Sequence, residues 1–454
     1  MSPDDLLALA PEALVALGAV LGLLAGTACR PGHEWPVRGI GILAALTAGV
    51  VALRAPGPGT AFGGTYAIDA ATVAVRVVVA GAVVVTLLLA GGDPSPPGTG
   101  RTDTAFAVLL QLSAVGAMLL GGAVDLLLLA AAFLLAGLPL AALAGLARDG
   151  RSAEAALKYF LSSALFGLAL LSGVTILLGL TRATSYAALA GLSGPAAAVA
   201  VVLVLAGLLM TLGAVPAHFW VPDAVDGTSP VTGAVLTTTA KIGGLVAVYR
   251  LVVAVPGLPG ELIVAVVAVA SMTLGNLAAF AQTSLRRLLA YSTVSQVGYL
   301  LVPIAVVSRT PLALPALLGY LAAYTVTNLA VFAVLAARPH GLEVGEQRGL
   351  ARRHPALAVA LAVGLLGLVG TPPTLVFAGK LAAFAAALGG GAAWLAAVAV
   401  ANSVASLFYY LRWIAPVFTA GDPVLRDPVE PRARAVAVVL AVVSVVGTVA
   451  VAAL

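Results

Sequence analysis

Fourteen apolar stretches, set apart by clusters of Gly, Pro and charge, occur near residues 5 to 28, 38 to 53, 68 to 90, 104 to 122, 125 to 147, 153 to 180, 196 to 220, 230 to 254, 261 to 281, 284 to 307, 312 to 337, 355 to 387, 392 to 418 and 434 to 454. A bilayer crossing takes about 20 residues, so the 454-residue chain has room for these spans and almost nothing else. Hydrophobic residues make up 61% of it and charged residues 9%, against about 25% charged in soluble domains. A soluble globular protein is excluded, and function must reside inside the membrane. The expectation is an all-α polytopic membrane protein of about 14 transmembrane helices forming a single membrane domain.

Charge distribution checks the helix count, because cytoplasmic loops collect Lys and Arg. Of the 23 basic residues, 16 fall in odd-numbered loops or at their edges, among them Arg101, Arg148, Arg151, Arg287, Arg353 and Arg426. Even-numbered loops hold Arg54, Arg182, Arg250 and Arg309. Odd loops therefore face the cytoplasm, and both termini lie outside. The net charge of +5 records orientation and gives no reason to expect nucleic acid. The lone Cys29 allows no internal disulfide, four-thiolate zinc site or cysteine-ligated iron–sulfur cluster. Cys29 and His33 form an isolated C-x3-H, and GIGILA from Gly39 lies in an apolar helix instead of after a strand, so metal and dinucleotide sites are unsupported. The N-terminus carries acids where a secretory signal would carry bases, and GGDPSPPGTG after residue 90 reads as a flexible loop.

Proline interrupts two spans, the seventh at Pro216 and the twelfth at Pro372 and Pro373. Such breaks are tolerated at membrane depth where the freed backbone is buried in protein or lines a hydrated cavity. Their spacing, five helices apart, suggests two five-helix repeats. Helices 1 to 3 then occupy 1–103, the first repeat 104–254, the second 261–418 and helix 14 434–454.

A lysine at the centre of a membrane helix costs roughly 2.5 to 3.5 kcal/mol on insertion scales. Lys241 sits about eleven residues from either end of its span, after three threonines and before Gly243 and Gly244. This sequence suggests a loosely packed polar cavity. A desolvated amine gives up its proton more readily than one in water, which suits a carrier; a fixed ion pair or bonding to carbonyls is the alternative. Lys380 follows the second break and is either a second carrier or a donor to freed carbonyls. His218, two residues past Pro216, is either a proton relay or a hydrogen-bonded core residue. Lys158 has Glu154 four residues earlier, the spacing of an ordinary interfacial pair. Arg76 is placed to snorkel. Tyr291, Ser295, Gln296, Thr325, Thr327 and Asn328 suit either a water file or interhelical packing. All 18 acids fall in loops or near helix ends.

The strings EAALKYF (154–160), VPAHFWVPDAVDGTSPVTG (215–233), LRRLLAYSTVSQVGYLL (285–301), GTPPTLVFAGK (370–380) and NSVASLFYYLR (402–412) together resemble subunit N of bacterial NADH-quinone oxidoreductase, respiratory complex I. The resemblance implies inverted five-helix repeats with helices 7 and 12 broken, and a hydrophilic axis coupling quinone reduction elsewhere in the complex to proton movement. The family's functional lysines fall on Lys158, Lys241 and Lys380, and the histidine of its broken seventh helix on His218. Three positions depart from the family: Leu134 stands for a glutamate, Thr211 for a lysine and Gln296 for a frequent histidine. Losing both members of a buried ion pair can be nearly neutral, whereas losing one is costly, so Leu134 and Thr211 form a coherent change.

The implied setting is a bacterial cytoplasmic membrane, with other membrane-arm subunits, lipid, protons and water as partners. No cofactor is expected in this chain; NADH, flavin, iron–sulfur clusters and quinone belong to partner subunits. Two rival readings are a subunit of a multi-subunit cation/proton antiporter or membrane-bound hydrogenase, and a non-pumping scaffold that has lost the first-repeat Glu/Lys pair.

Overall fold

The computed structural model describes residues 3–30, 34–54, 57–90, 102–338, 342–420 and 428–452. His33, Arg101, Arg426 and the run expected to form a loop after residue 90 lie outside the described residues. The helices, in chain order, are α1 Pro3–Ala8, α2 Ala10–Ala28, α3 Trp35–Leu53, α4 Ala70–Leu89, α5 Thr102–Gly122, α6 Leu126–Ala144, α7 Gly150–Thr181, α8 Pro195–Leu212 and α9 Trp220–Asp226. They continue as α10 Pro230–Ala254, α11 Gly260–Phe280, α12 Leu285–Leu301, α13 Ala313–Ala337, α14 Leu350–Arg353, α15 Pro355–Val369, α16 Leu375–Gly389, α17 Ala393–Phe418 and α18 Pro431–Ala452.

Thirteen helices among the described residues are long and apolar enough to cross a membrane, and the shorter apolar helices α15 and α16 are the two halves of the broken twelfth span. A membrane protein of fourteen spans results. One small addition to the all-α expectation is a hairpin of β1 Gly59–Ala61 and β2 Tyr66–Ile68, antiparallel with Ala61 opposite Tyr66. Helix boundaries follow local chemistry. Asp149 caps α7 by accepting from the Ser152 backbone N–H at 2.7 Å, while Ser152 returns the bond. Asp125 caps α6, and proline opens α8 and α15.

The chain divides into two compact units. The first comprises Met1–Leu87, Ser95–Trp220 and Thr239–Val264; the second comprises Leu88–Pro94, Val221–Thr238 and Ala265–Leu454. In the first, α2, α3 and α5 pack together and α5 to α8 follow as sequential neighbours. In the second, α13 lies against α15, α16 and α18, and α15 also meets α17. Small residues let these helices approach closely: a Cβ on Gly298 of α12 would lie 2.6 Å from the Ala268 carbonyl oxygen of α11.

One arginine differs from the sequence expectation, and a second anchors its helix. Arg76 does not snorkel; its guanidinium is buried and grips Glu12 (Nε to Oε1 2.7 Å, Nη2 to Oε2 2.8 Å), which also accepts from the Tyr66 hydroxyl at 2.7 Å. Glu12 is a near-terminal acid that tertiary packing turns inward. Arg250 lies near the end of α10, within the span expected for it. It is buried, donating to the Gly121 carbonyl (2.7 Å), Asp69 (2.7 Å) and Thr72 (2.9 Å). Burial alone would raise the Asp69 carboxyl, but Arg250 and Thr72 hold it below its ordinary value.

Candidate functional site: two capped helix breaks

Both interrupted spans are built the same way. Helix α8 ends at Leu212, and Gly213 follows in the left-handed region at φ 68°. Helix α15 ends at Val369, and Gly370 follows at φ 88°. A proline comes three residues after each glycine, joined by a cis peptide at Val215–Pro216 and at Pro372–Pro373. The shared spacing is G-x-x-P. Glycine suits such a C-terminal stop because it has no Cβ to oppose positive φ. The last carbonyls of a terminated helix have no partner within it, and they form the negative end of its dipole. In a membrane they need donors.

In the first unit that donor is Lys241. Its side chain is 1% exposed, and its Nζ donates to the Leu212 carbonyl oxygen. The amine lies 5.7 Å from the Trp220 ring centroid. Trp220 is itself fixed by a 3.0 Å bond from Nε1 to the Met210 carbonyl and an edge contact with Tyr159. The expected loose packing is not found. A Cβ on Gly243 would overlap the Ala117 carbonyl oxygen, and one on Gly244 would lie 3.0 Å from Leu212 Cδ2. The glycines bring the lysine's helix close to α5 and to the end of α8, so that the amine can reach the break. Thr237 and Thr238 bond to carbonyls of their own helix, whereas the buried Thr239 hydroxyl has no partner. His218 lies in the break, 7% exposed and against Phe219, with a buried Nδ1 that makes no hydrogen bond of ordinary geometry.

In the second unit Lys380, 2% exposed, donates to the carbonyls of Leu368 (3.2 Å) and Val369 (2.9 Å) and to Ser403 Oγ (3.1 Å). Its Nζ lies 4.0 Å from the Tyr299 ring centroid, and a Cβ on Gly370 would lie 2.8 Å from its Cδ. The same carbonyls have other donors. Ser403 Oγ donates to Val369 O at 2.9 Å, and Gln296 Nε2 to Leu368 O at 2.6 Å. Gln296 accepts in turn from the Tyr320 hydroxyl at 2.6 Å. Neither lysine has a carboxylate partner among the described residues. Each meets carbonyl dipoles and an aromatic face, which favour a cation.

The other candidates lie elsewhere. Lys158 pairs with Glu154 at 2.6 Å, with the lysine side chain 42% exposed. Leu134 is 40% exposed, whereas Thr211 is buried near the end of α8. Ser295 bonds to Asn276 at 2.9 Å, Asn328 to Thr237 at 2.9 Å and Thr325 to its own helix, an arrangement of packing contacts. Among the described residues no group of three or more His, Cys, Asp or Glu could hold a metal. Ser403, Trp220 and Tyr299 escaped the sequence reading, although the repeated G-x-x-P spacing was available to locate the carbonyls they surround.

Residues 123–406 match the family described as NADH:quinone oxidoreductase/Mrp antiporter, TM. The chain is 53% identical to NADH-quinone oxidoreductase subunit N 1 of Streptomyces griseus subsp. griseus, over 96% of this chain and 94% of that one. It is 50% identical to the subunit N of Mycobacterium sp. (strain JLS), over 92% and 91%. Its fold superposes on a chain of respiratory complex I from Thermus thermophilus with a TM-score of 0.84 at 32% identity, covering 96% of each chain. A chain of the Mrp complex from Dietzia sp. DQ12-45-1b shares the fold alone, with a TM-score of 0.82 at 23% identity and coverage of 99% and 95%. With two capped breaks in a fourteen-span fold and relatives matching nearly end to end, the chain belongs to the subunit N family of NADH-quinone oxidoreductase, the antiporter-like membrane subunits of respiratory complex I.

Proposed function

We propose that this chain carries protons across a bacterial cytoplasmic membrane as the subunit N of an NADH-quinone oxidoreductase, driven by quinone reduction in other subunits. Lys241 and Lys380 are the carriers, and His218, with its unpartnered Nδ1 in the first break, is the relay that exchanges protons with Lys241 through water. Lys158, half-exposed beside Glu154, is a further proton-handling group. The repeats run over 104–254 and 261–418, with both termini outside. NADH, flavin, iron–sulfur clusters and quinone sit in the partner subunits of the membrane and peripheral arms.

One observation supports this reading above the others: a buried amine with no carboxylate partner stands at each of two helix breaks. A buried ammonium without a counter-ion is costly to keep for structure alone, whereas an amine held by carbonyls can bond in either protonation state. The test is Lys241→Ala in the assembled complex, reading protons moved per electron. A reduced ratio is expected, and an unchanged ratio would sink the assignment. A scaffold without pumping is the second reading, favoured by the uncharged Leu134 and Thr211. It predicts that Lys241→Ala and Lys380→Ala both leave the ratio unchanged in complexes that assemble.

A further inference from the structure

The two breaks present matching acceptors, the carbonyl of the residue before each left-handed glycine: Leu212 in one and Val369 in the other. They differ in who donates. Lys241, from the helix after the broken span, supplies the side-chain donor for Leu212. In the second unit the corresponding following helix is α17, and it supplies Ser403 in that place. Lys380 comes from the second half of the broken span itself. It is thus an additional donor to carbonyls that Ser403 and Gln296 already satisfy.

An unbonded carbonyl in an apolar interior bears its full desolvation penalty, so a lysine that is a carbonyl's side-chain donor is tied to it. A lysine whose carbonyls have second donors is free to leave. We propose that Ser403 and Gln296 are positioning residues for Lys380: they hold the Val369 and Leu368 carbonyls so that the amine can release its proton or swing from the break without orphaning them. Lys380 is therefore the mobile amine of the pair and Lys241 the tethered one. The hydroxyl suits this task because it accepts from the lysine while donating to Val369. The inference rests on the proton-carrying reading of Lys380.

The titratable group that faces the amine is a phenol, Tyr299 of α12; the hydroxyls of Tyr320 and Tyr324 of α13 are bonded to Gln296 and Thr293, Tyr291 of α12 lies by Arg287, and Tyr409 and Tyr410 stand farther along α17. Helices α15 and α16 bring no other titratable group. The arginines of α12 are engaged at its first turn with Thr228 and Asp223, and that of α17 with Phe280. The charged residues of α18, Arg432 and Arg434, stand at its first turn.

The experiment compares Ser403→Ala, Ser403→Thr and Lys380→Ala in the complete complex reconstituted in vesicles, following quinone-driven proton movement from pH 6 to 9, with assembly checked by co-purification. In Ser403→Ala the Val369 carbonyl keeps the lysine as its side-chain donor and loses the second one, so the ammonium is tied to it, and a charged donor bonds more strongly than a neutral one. Proton movement is expected to slow about fivefold, the worth of one net hydrogen bond, and its half-maximal point to move to higher pH. Ser403→Thr, which keeps the hydroxyl, is expected to restore both. An unchanged rate and profile in Ser403→Ala, with transfer impaired in Lys380→Ala, overturns the inference and leaves the function standing. Equal impairment by Ala and Thr also overturns it. Unchanged transfer in Lys380→Ala overturns the carrier role of Lys380 and the inference together.

Discussion

At the first break Lys241 bonds the last carbonyl of the terminated helix, beneath a tryptophan ring and on a helix whose glycines press against a neighbouring backbone. At the second, Lys380, Ser403 and Gln296 share two carbonyls, and Tyr320 steadies the glutamine. The backbone problem is the same, a G-x-x-P stop that exposes carbonyls at membrane depth. The solutions differ in redundancy. Among the described residues Lys241 is the one side-chain donor at Leu212, which makes it part of the architecture, whereas shared donors separate the lysine's chemistry from the helix's need for a cap.

The harshest way to break this comparison is through the glycines. Gly243→Val thrusts a side chain into the Ala117 carbonyl, which is backbone and cannot rotate away. We expect a loss of about 3 kcal/mol or more and no assembled complex on purification. Gly370→Ala adds a methyl at φ 88° and 2.8 Å from the Lys380 stem. The expected cost is about 2 kcal/mol, seen as a lower thermal midpoint. Replacing the lysines probes redundancy directly. Lys241→Met leaves Leu212 without that donor, whereas Lys380→Met leaves Val369 and Leu368 bonded to Ser403 and Gln296. The first should lower the unfolding midpoint more, by the equivalent of about 1–2 kcal/mol; equal midpoints would erase the distinction.

The smallest expected effect concerns the anchor of α10. The Asp69 carboxyl is held below its ordinary value by Arg250 and Thr72 against the opposing effect of burial. Its folded value is thus depressed, so its stabilisation is present above the unfolded value and is lost as pH falls through the folded one. Asp69→Asn should flatten the acid side of the stability profile, measured as thermal midpoint against pH below about 4. Because Asp69 is partly exposed, solvent screening keeps this contribution small. A parallel acid dependence in the variant and the parent would show that the pair does not anchor the helix.

Much of the fold was legible because membrane spans announce themselves by length and apolarity, and because proline marks a break whatever its surroundings. Lys241 and Lys380 stood out for the same reason: charge is rare at membrane depth. For Lys158 the sequence leaves open an ordinary pair with Glu154 or a proton-handling lysine, and the structure has the pair. Arg76 was misread because its partner, Glu12, lies 64 positions away, beyond any periodicity. Ser403 and Tyr299 carry no such signal, since hydroxyls and rings are common in membrane helices. Gln296 stands out in the sequence as a departure from the family and as a polar group suited to a water file or to packing, but its task on Leu368 is set by the fold.

The sequence by itself determined that the chain spans a membrane fourteen times, where two spans break, and which amines are buried. These properties follow from local apolarity and from the missing donor of proline. Only the tertiary structure decided what each amine bonds. The acceptors are backbone carbonyls, identical in every residue, and a carbonyl acquires its need for a donor only where the helix stops and another helix comes within reach. The difference between a tethered and a movable lysine is therefore invisible in their own flanking residues. It lies in Ser403 and Gln296, brought to the second break by helices 23 and 72 positions away along the chain from their bonded partners.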